Sequence, residues 1–197
     1  MFVRTESLSQ FLKLYPVVSA LVVIHIVVYL LTSLPFGFGN ELMNFIAGFN
    51  LLISHGEWWR LVTPIFAHAD LWHVLFNTFS LVLFAPALER LLGHIQFIVV
   101  YLLTGIIANV ATWVIQPAMY LSVGASGSIF GLFGVYAAIL FLFKKRAPFE
   151  LRQVMLPLLI ISVIMTFFQP NVNATAHIGG LIAGFGIGAF IFSKPNK

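Results

Sequence analysis

The sequence predicts an all-α membrane protein, a bundle of six transmembrane helices with a long interfacial first outer loop. Three observations predict it: the composition, the spacing of the apolar stretches and the placement of the basic residues. Apolar residues make up 60% of the 197 residues and charged residues only 8%, whereas soluble domains carry roughly 45–50% apolar and about 25% charged residues. So few charges cannot solvate a globule of this size, and most of the surface must face lipid. The chain has no cysteine, which excludes disulfides and thiolate ligands.

A transmembrane helix needs about 20 mainly apolar residues, and the chain contains six such stretches. In chain order they are approximately residues 16–34, 71–88, 95–115, 126–143, 153–168 and 176–193. The first follows a polar lead and lacks a small-x-small cleavage pattern, so we interpret it as a retained span and not as a signal peptide. The predicted organisation is a cytoplasmic segment at 1–15, one six-span domain at 16–193 and a cytoplasmic tail at 194–197.

The basic residues predict the orientation, because cytoplasmic connections carry an excess of Lys and Arg. With the N-terminus in the cytoplasm, only Arg60 lies outside and the other nine basic residues lie inside. These nine are Arg4, Lys13, Arg90, Lys144, Lys145, Arg146, Arg152, Lys194 and Lys197. Both termini are therefore predicted to be cytoplasmic. The net charge of +4 belongs to this inner face, and we expect no nucleic-acid partner.

The first outer connection, residues 35–70, is too apolar for a free loop. Trp58 and Trp59 lie within it, and tryptophan rings prefer the headgroup level of a bilayer. We therefore predict an interfacial structure that lies partly in the outer leaflet. The last outer connection, residues 169–175, is short and polar, and we predict that it is mobile.

Polar side chains at membrane depth are costly and mark functional sites. Within the predicted spans they are His25, His73, Asn77, Ser126, Ser128 and His177. Ser126, His177 and His73 lie 18, 17 and 17 residues before the next inner basic residue, which places each roughly 25–27 Å above the inner boundary at about 1.5 Å per residue. One hydroxyl and two imidazoles are thus predicted at one level, near the outer side of the hydrocarbon core.

Spacing along the second span separates its histidines by role. His73 and Asn77 are four residues apart and share a helix face, whereas His68 and His73 are five apart and point away from each other on a continuous helix. Together with the absence of an H-E-x-x-H pattern, this predicts no metal site, and no cofactor is expected. His25, His55 and His94 have no matching partners and are interpreted as structural or surface residues.

Ser126 lies in the segment Gly124-Ala125-Ser126-Gly127 at the start of the fourth span. A serine nucleophile needs an adjacent base, and His177 is the base predicted at the same height. A helix N-terminus offers free N–H groups and the positive end of the dipole to an oxyanion. His73 and Asn77 can add side-chain donors. Alone, a serine here is more often an N-cap, and it is the combination that favours a site.

Small residues recur every third or fourth position in the two spans that carry Ser126 and His177. They are Gly127, Gly131 and Gly134 in the fourth span, and Gly180, Gly184 and Gly188 in the sixth. Such stripes usually let transmembrane helices pack closely. We therefore predict that these two helices touch, which brings the tops of both within hydrogen-bond reach.

At these residues the chain resembles the rhomboid intramembrane serine proteases. The resemblance runs from about residue 58 to 188 and rests on separate motifs in the right order. Gly124-Ala125-Ser126-Gly127 resembles the family's G-x-S-G motif. The others are His68 and His73 with Asn77, Ala176-His177-Ile178-Gly179-Gly180 followed by Gly184, Trp59-Arg60 and Glu89-Arg90. The six-span core without further spans is similar to the simple prokaryotic form, which implies a plasma-membrane location.

The resemblance implies a role for each matching residue. Ser126 is the nucleophile and His177 the general base and acid, while His73, Asn77 and the Ser126 backbone N–H form the oxyanion hole. The family commonly has a tyrosine four residues after the nucleophile that stacks on the base. Phe130 occupies that position here, and we expect it to stack on His177.

The implied function is cleavage of transmembrane protein substrates within the lipid bilayer, near the outer face. Phe167 and Phe168, which precede residues 169–175, could plug the opening toward lipid, and we hypothesise that this cap and the outer end of the fifth span move to admit substrate. The alternative within the fold is an inactive rhomboid-like protein that binds membrane clients. A small transporter or channel is the alternative of another class, but the sequence has no inverted repeat or discontinuous helix to support it. Neither the substrate nor the oligomeric state follows from the sequence.

Overall fold

The computed structural model describes residues 5–35, 37–143, 149–169 and 172–193. Within these ranges the chain forms nine α-helices, two 3-10 helices and one pair of two-residue strands. In order they are α1 (Leu8–Leu14), α2 (Pro16–Thr32), α3 (Phe38–Ile46), β1 (Gly48–Phe49), α4 (Asn50–Ser54), the 3-10 helices Trp58–Leu61 and Thr63–Phe66, α5 (Leu71–Leu92), α6 (His94–Ile115), β2 (Leu121–Ser122), α7 (Ser126–Leu142), α8 (Phe149–Phe168) and α9 (Ala174–Ser193).

The predicted all-α multi-pass membrane fold is confirmed. Helices α2 and α5 to α9 coincide with the six predicted apolar stretches. Within the described ranges, four of them are long and apolar enough to cross a membrane, and α2 together with α1 makes a bent pair that adds a fifth. Helix α7 is apolar throughout but only 17 residues long. The count of six spans therefore stays a prediction, as does the orientation, because most of the basic residues that predict it lie outside the described residues.

The chain turns by 109° between α1 and α2. The first turn of α2 is capped from a distant helix: the buried Glu89 carboxylate accepts hydrogen bonds from the backbone N–H groups of Val17 at 3.0 Å and Val18 at 2.9 Å. The same carboxylate lies 2.7 Å from Nδ1 of His94. The interpretation of His94 as a residue without a partner is therefore wrong. Spacing along the sequence does not show which side chains meet where one helix caps another.

The first outer connection is a packed structure and not a free loop, as its apolar composition predicts. Its centre is the buried guanidinium of Arg60, which donates to the Glu57 carboxylate at 2.6 Å and to the backbone carbonyl oxygens of Asn44 and Ala47 at 2.6 and 2.7 Å. The Trp59 ring stacks on Phe45. Strand β1 pairs antiparallel with β2, with Gly48 opposite Ser122, which ties this connection to the loop that leads into α7.

Helix α7 is the centre of the bundle. All its residues from Gly127 to Leu140 are buried, as expected for a helix that is apolar on every side. Gly127 contacts Gly180 and Gly131 contacts Gly184 so closely that a Cβ on either α9 glycine would overlap the facing carbonyl oxygen. The predicted contact between the fourth and sixth spans is confirmed, and it puts the outer ends of α7 and α9 side by side.

Candidate active site

Ser126 is the first residue of α7 and is partly exposed. The loop before it is held by Gly124, whose backbone N–H donates to the Pro64 carbonyl oxygen at 2.8 Å and whose φ is +126°. That φ lies in the region that glycine adopts without steric cost. The turn therefore starts the helix directly at Ser126, where unsatisfied N–H groups and the positive dipole end are available to an anion.

His177 lies in the first turn of α9, with 8% of its surface exposed. Its imidazole stacks on the Phe130 ring, with the ring centroids 4.0 Å apart and the planes at 14°. Nδ1 of the same imidazole lies 2.9 Å from the Thr166 hydroxyl on α8. Ser126 and His177 both lie in the described part of the chain, and no hydrogen bond joins the Ser126 hydroxyl to the His177 imidazole.

His73 lies in the first turn of α5, which Asp70 caps by accepting the His73 backbone N–H at 2.8 Å. A Cβ placed on Gly124 would lie 2.6 Å from Nε2 of His73 and 3.8 Å from the Ser126 hydroxyl oxygen, so both side chains approach one point. Asn77 is buried one turn deeper, and its amide donates to the His73 carbonyl oxygen at 2.9 Å. The second amide N–H of Asn77 is not needed for that bond.

The prediction that His68 and His73 point apart is wrong. Helix α5 begins at Leu71, so His68 precedes it, and the two imidazoles meet edge to face with centroids 5.1 Å apart. His25 also has neighbours, because its ring lies 5.1 Å from that of His68 and its Nε2 lies 3.3 Å from the Tyr101 hydroxyl. Burial lowers the pKa of His68 to about 3, so its imidazole is neutral at pH 7.

The imidazoles of His25, His68 and His73 are not arranged as metal ligands. No group of three or more His, Cys, Asp or Glu side chains in the described part of the chain is placed to hold a metal ion. His68 instead packs between His25 and His73, with both pairs of ring centroids 5.1 Å apart.

Residues 169–175, predicted to be mobile, divide into two parts. Pro170 and Asn171 lie outside the described residues. The second part is bonded to α6: the Asn173 amide donates to the Thr112 hydroxyl at 2.9 Å, and Gln116 donates to the Thr175 hydroxyl at 2.6 Å. Helix α9 begins at Ala174, two residues earlier than predicted, so this part is held at the end of the bundle that carries Ser126 and His177.

Thr166 is the site residue that the sequence analysis missed. It lies in the last turn of α8 and only 4% of its surface is exposed. A threonine hydroxyl in a helix usually bonds to its own backbone, so it does not stand out as a functional residue. Its position in the sequence could have indicated a role, because Thr166 is a polar residue close to the end of an apolar span, near the level of His177.

Comparison with known proteins identifies the family of this chain. Residues 55–194 match the family model described as the Rhomboid domain. The chain is 45% identical, over all its length and 99% of the relative's, to the rhomboid-family protein YdcA of Bacillus subtilis. It is 37% identical over 169 residues to the rhomboid protease GluP of the same organism, covering 83% of this chain but 32% of GluP. With Rhomboid-like protease 1 of Toxoplasma gondii the identity is 31%, over 80% of this chain and 55% of that protein. The chain belongs to the rhomboid family.

Proposed function

We propose that this chain is an intramembrane serine endopeptidase, which hydrolyses peptide bonds of transmembrane proteins with a Ser126–His177 dyad. One observation carries the proposal. Phe130 is four residues after Ser126 on α7, so the two side chains share one helix face, and the His177 imidazole stacks on that ring. The base is thereby held on the face of α7 that carries the nucleophile, one turn from it.

The dyad accounts for the whole reaction without a cofactor. Ser126 Oγ attacks the carbonyl carbon of the scissile bond while Nε2 of His177 takes its proton. The imidazolium then gives this proton to the leaving amine nitrogen as the C–N bond breaks. Water attacks the acyl-enzyme, His177 accepts a proton from that water, and the release of the carboxylic acid returns the proton to Ser126.

The oxyanion of the tetrahedral intermediate needs donors that are aimed at it before the reaction. His73 Nε2 near Gly124, the free amide N–H of Asn77 and the Ser126 backbone N–H are the candidates in this chain. His73→Ala and Asn77→Ala should each lower turnover by about 10²–10³ or less, because the other donors compensate in part. Full-rate cleavage by both variants would contradict this assignment while leaving the dyad untouched.

The substrate class that we propose is the one implied by the resemblance to the rhomboid proteases, and the position of the site at one end of α5, α7 and α9 supports it. By the predicted orientation this is the outer face of a plasma membrane, with both termini of the chain in the cytoplasm. A single-span protein cut near or just within that face, where its helix unwinds easily, fits such a site.

A serine-directed fluorophosphonate tests the dyad separately from substrate access. The purified protein should be labelled at Ser126 and should cleave a reconstituted single-span protein. Ser126→Ala should lose both activities, and His177→Ala should lose cleavage, because a dyad fails when either member is removed. Ser128→Ala is the matched control, since it removes a buried hydroxyl two residues away, and it should retain both.

Two results would contradict the proposal. Near-wild-type cleavage by Ser126→Ala would exclude this serine as the nucleophile. A folded wild-type protein that the probe does not label would instead favour the inactive, client-binding alternative.

A further inference from the structure

The imidazole of His177 has a polar contact on the side away from Ser126. The Thr166 hydroxyl oxygen lies 2.9 Å from Nδ1 of His177. The same hydroxyl lies 2.9 Å from the Ser162 carbonyl oxygen, one turn earlier on α8. Both His177 and Thr166 are buried, with 8% and 4% of their surfaces exposed, so these two bonds are shielded from water.

Both hydrogen bonds can form at the same time in only one arrangement. A carbonyl oxygen only accepts, and a threonine hydroxyl has one proton, so in this arrangement Thr166 donates to Ser162. The hydroxyl oxygen must then accept from His177, which requires the imidazole proton to be on Nδ1. The relay therefore runs from Nδ1–H of His177 to Thr166 and from Thr166 to the Ser162 carbonyl oxygen.

We infer that Thr166 is a positioning residue of the dyad, which holds neutral His177 in the tautomer that can act as a base. This inference rests on the proposed role of His177. With the proton on Nδ1, the lone pair is on Nε2, the nitrogen that must accept the Ser126 proton. The opposite tautomer would present an N–H group to Ser126 and could not accept. Which ring nitrogen carries the proton is set by the partner of the other nitrogen.

No carboxylate on these helices is placed to do this. In sequence, the one Asp or Glu within α7, α8 and α9 is Glu150, at the opposite end of α8 from Thr166. In soluble serine proteases a buried aspartate accepts from Nδ1, and its loss leaves the wrong tautomer. Thr166 gives the same direction of bonding with a neutral group, and Phe130 fixes the plane of the ring from one face.

The size of the effect follows from the burial of the relay. Thr166→Val keeps the volume and removes the hydroxyl, which leaves Nδ1–H buried without a partner. A buried unpaired group costs about 1–3 kcal/mol, which converts at about 1.4 kcal/mol per factor of ten to a labelling rate lower by about 5- to 150-fold. The loss should appear in the maximal inactivation rate and not in the concentration of probe that gives half of it, because the probe does not touch Thr166.

The tautomer can be read directly, without activity. In protein labelled with ¹⁵N-histidine, the His177 signals are assigned by their loss in His177→Asn, and correlation spectra show which nitrogen carries the proton. The wild-type protein should show Nδ1–H, Thr166→Val should lose that preference, and Thr166→Ser should restore both the tautomer and the labelling rate. Thr78→Val is the matched control, because Thr78 is a buried threonine in α5 that bonds to its own helix, and it should change neither.

Two outcomes would overturn the inference. One is an Nε2–H tautomer in the wild-type protein, and the other is a Thr166→Val variant with unchanged tautomer and labelling rate. If the wild-type protein shows Nδ1–H but is never labelled, the proposed protease function fails while the hydrogen bond from His177 to Thr166 is supported. The two failures are therefore distinguishable.

Discussion

The contact between α7 and α9 gives the sharpest prediction, because it joins two backbones with no side chain between them. A Cβ on Gly184 would overlap the Gly131 carbonyl oxygen and lie 2.6 Å from its carbonyl carbon, whereas ordinary contact begins at 3.4 Å. Neither backbone can rotate out of the way as a side chain could. Gly184→Ala must therefore push the helices apart by at least about 0.8 Å at this level, which is the shortfall from 3.4 Å at the carbonyl carbon, and the carbonyl oxygen is nearer still.

Both stability and catalysis should respond to this displacement. Overpacking a tight contact costs about 1–3 kcal/mol, and the rigidity of both partners puts Gly184→Ala at the upper end. Because His177 is about two turns above Gly184 on the same helix, it should move away from Ser126. A misplacement of about 1 Å can cost about 10²-fold in rate, so fluorophosphonate labelling should slow by one to two orders of magnitude.

Gly186→Ala is the matched control, two residues further along α9. A Cβ there meets nothing within 4 Å, and alanine in a helix is favoured over glycine by roughly 0.5–1 kcal/mol. Thermal unfolding in detergent, followed by tryptophan fluorescence, should show a lowered midpoint for Gly184→Ala and an unchanged or raised midpoint for Gly186→Ala. If the two variants melt together and are labelled at the same rate, the close contact between α7 and α9 is refuted.

Three further changes test other parts of the molecule. Glu89→Gln should lower the free energy of unfolding by about 1–3 kcal/mol, because the buried carboxylate accepts two N–H groups of α2; an unchanged melting midpoint would contradict this capping role. Burial lowers the pKa of His68 in the folded chain from 6.5 to about 3, so below pH 6.5 the unfolded chain binds a proton that the folded chain does not bind. The free energy of unfolding therefore falls as the pH falls below 6.5, by at most about 1.4 kcal/mol per pH unit. His68→Phe should melt with a shallower pH dependence between pH 7.5 and 5, and equal slopes for variant and wild type would refute this. Phe168→Ala, at a ring that is 76% exposed, should raise cleavage of a single-span substrate or leave it intact at an unchanged labelling rate, whereas a fall in cleavage would argue against a plug.

The parts of the fold that were predictable are those set by composition and periodicity. The six apolar stretches coincide with six helices because each stretch has to satisfy its backbone internally in lipid. The contact between α7 and α9 was predictable from glycine spacing alone, since only glycine allows backbones to come so close. The shared level of Ser126, His73 and His177 followed from counting residues, and all three lie in the first turn of their helices.

The parts that could not be predicted depend on where a helix begins and on which helices are neighbours. His68 and His73 were expected to point apart on one helix, but Asp70 caps α5 and leaves His68 in the preceding loop, where its ring turns back onto His73. Glu89 and His94 meet across the short break between α5 and α6. Thr166 is eleven residues from His177 in sequence, and no spacing rule connects the ends of two different helices.

The inferred hydrogen bond from Nδ1–H of His177 to the Thr166 hydroxyl would also explain how the proposed base can work where an ion pair is costly. A buried carboxylate beside His177 would have to be desolvated, and charged groups at membrane depth are expensive unless they are paired. A threonine has no charge to desolvate, and its hydroxyl donates a hydrogen bond to a carbonyl oxygen of its own helix. The hydroxyl can therefore set the tautomer, but it stabilises the imidazolium less than a carboxylate would. The stabilisation of the transition state must then come mainly from the oxyanion side, so that losing His73 or Asn77 should cost this chain at least as much rate as losing Thr166.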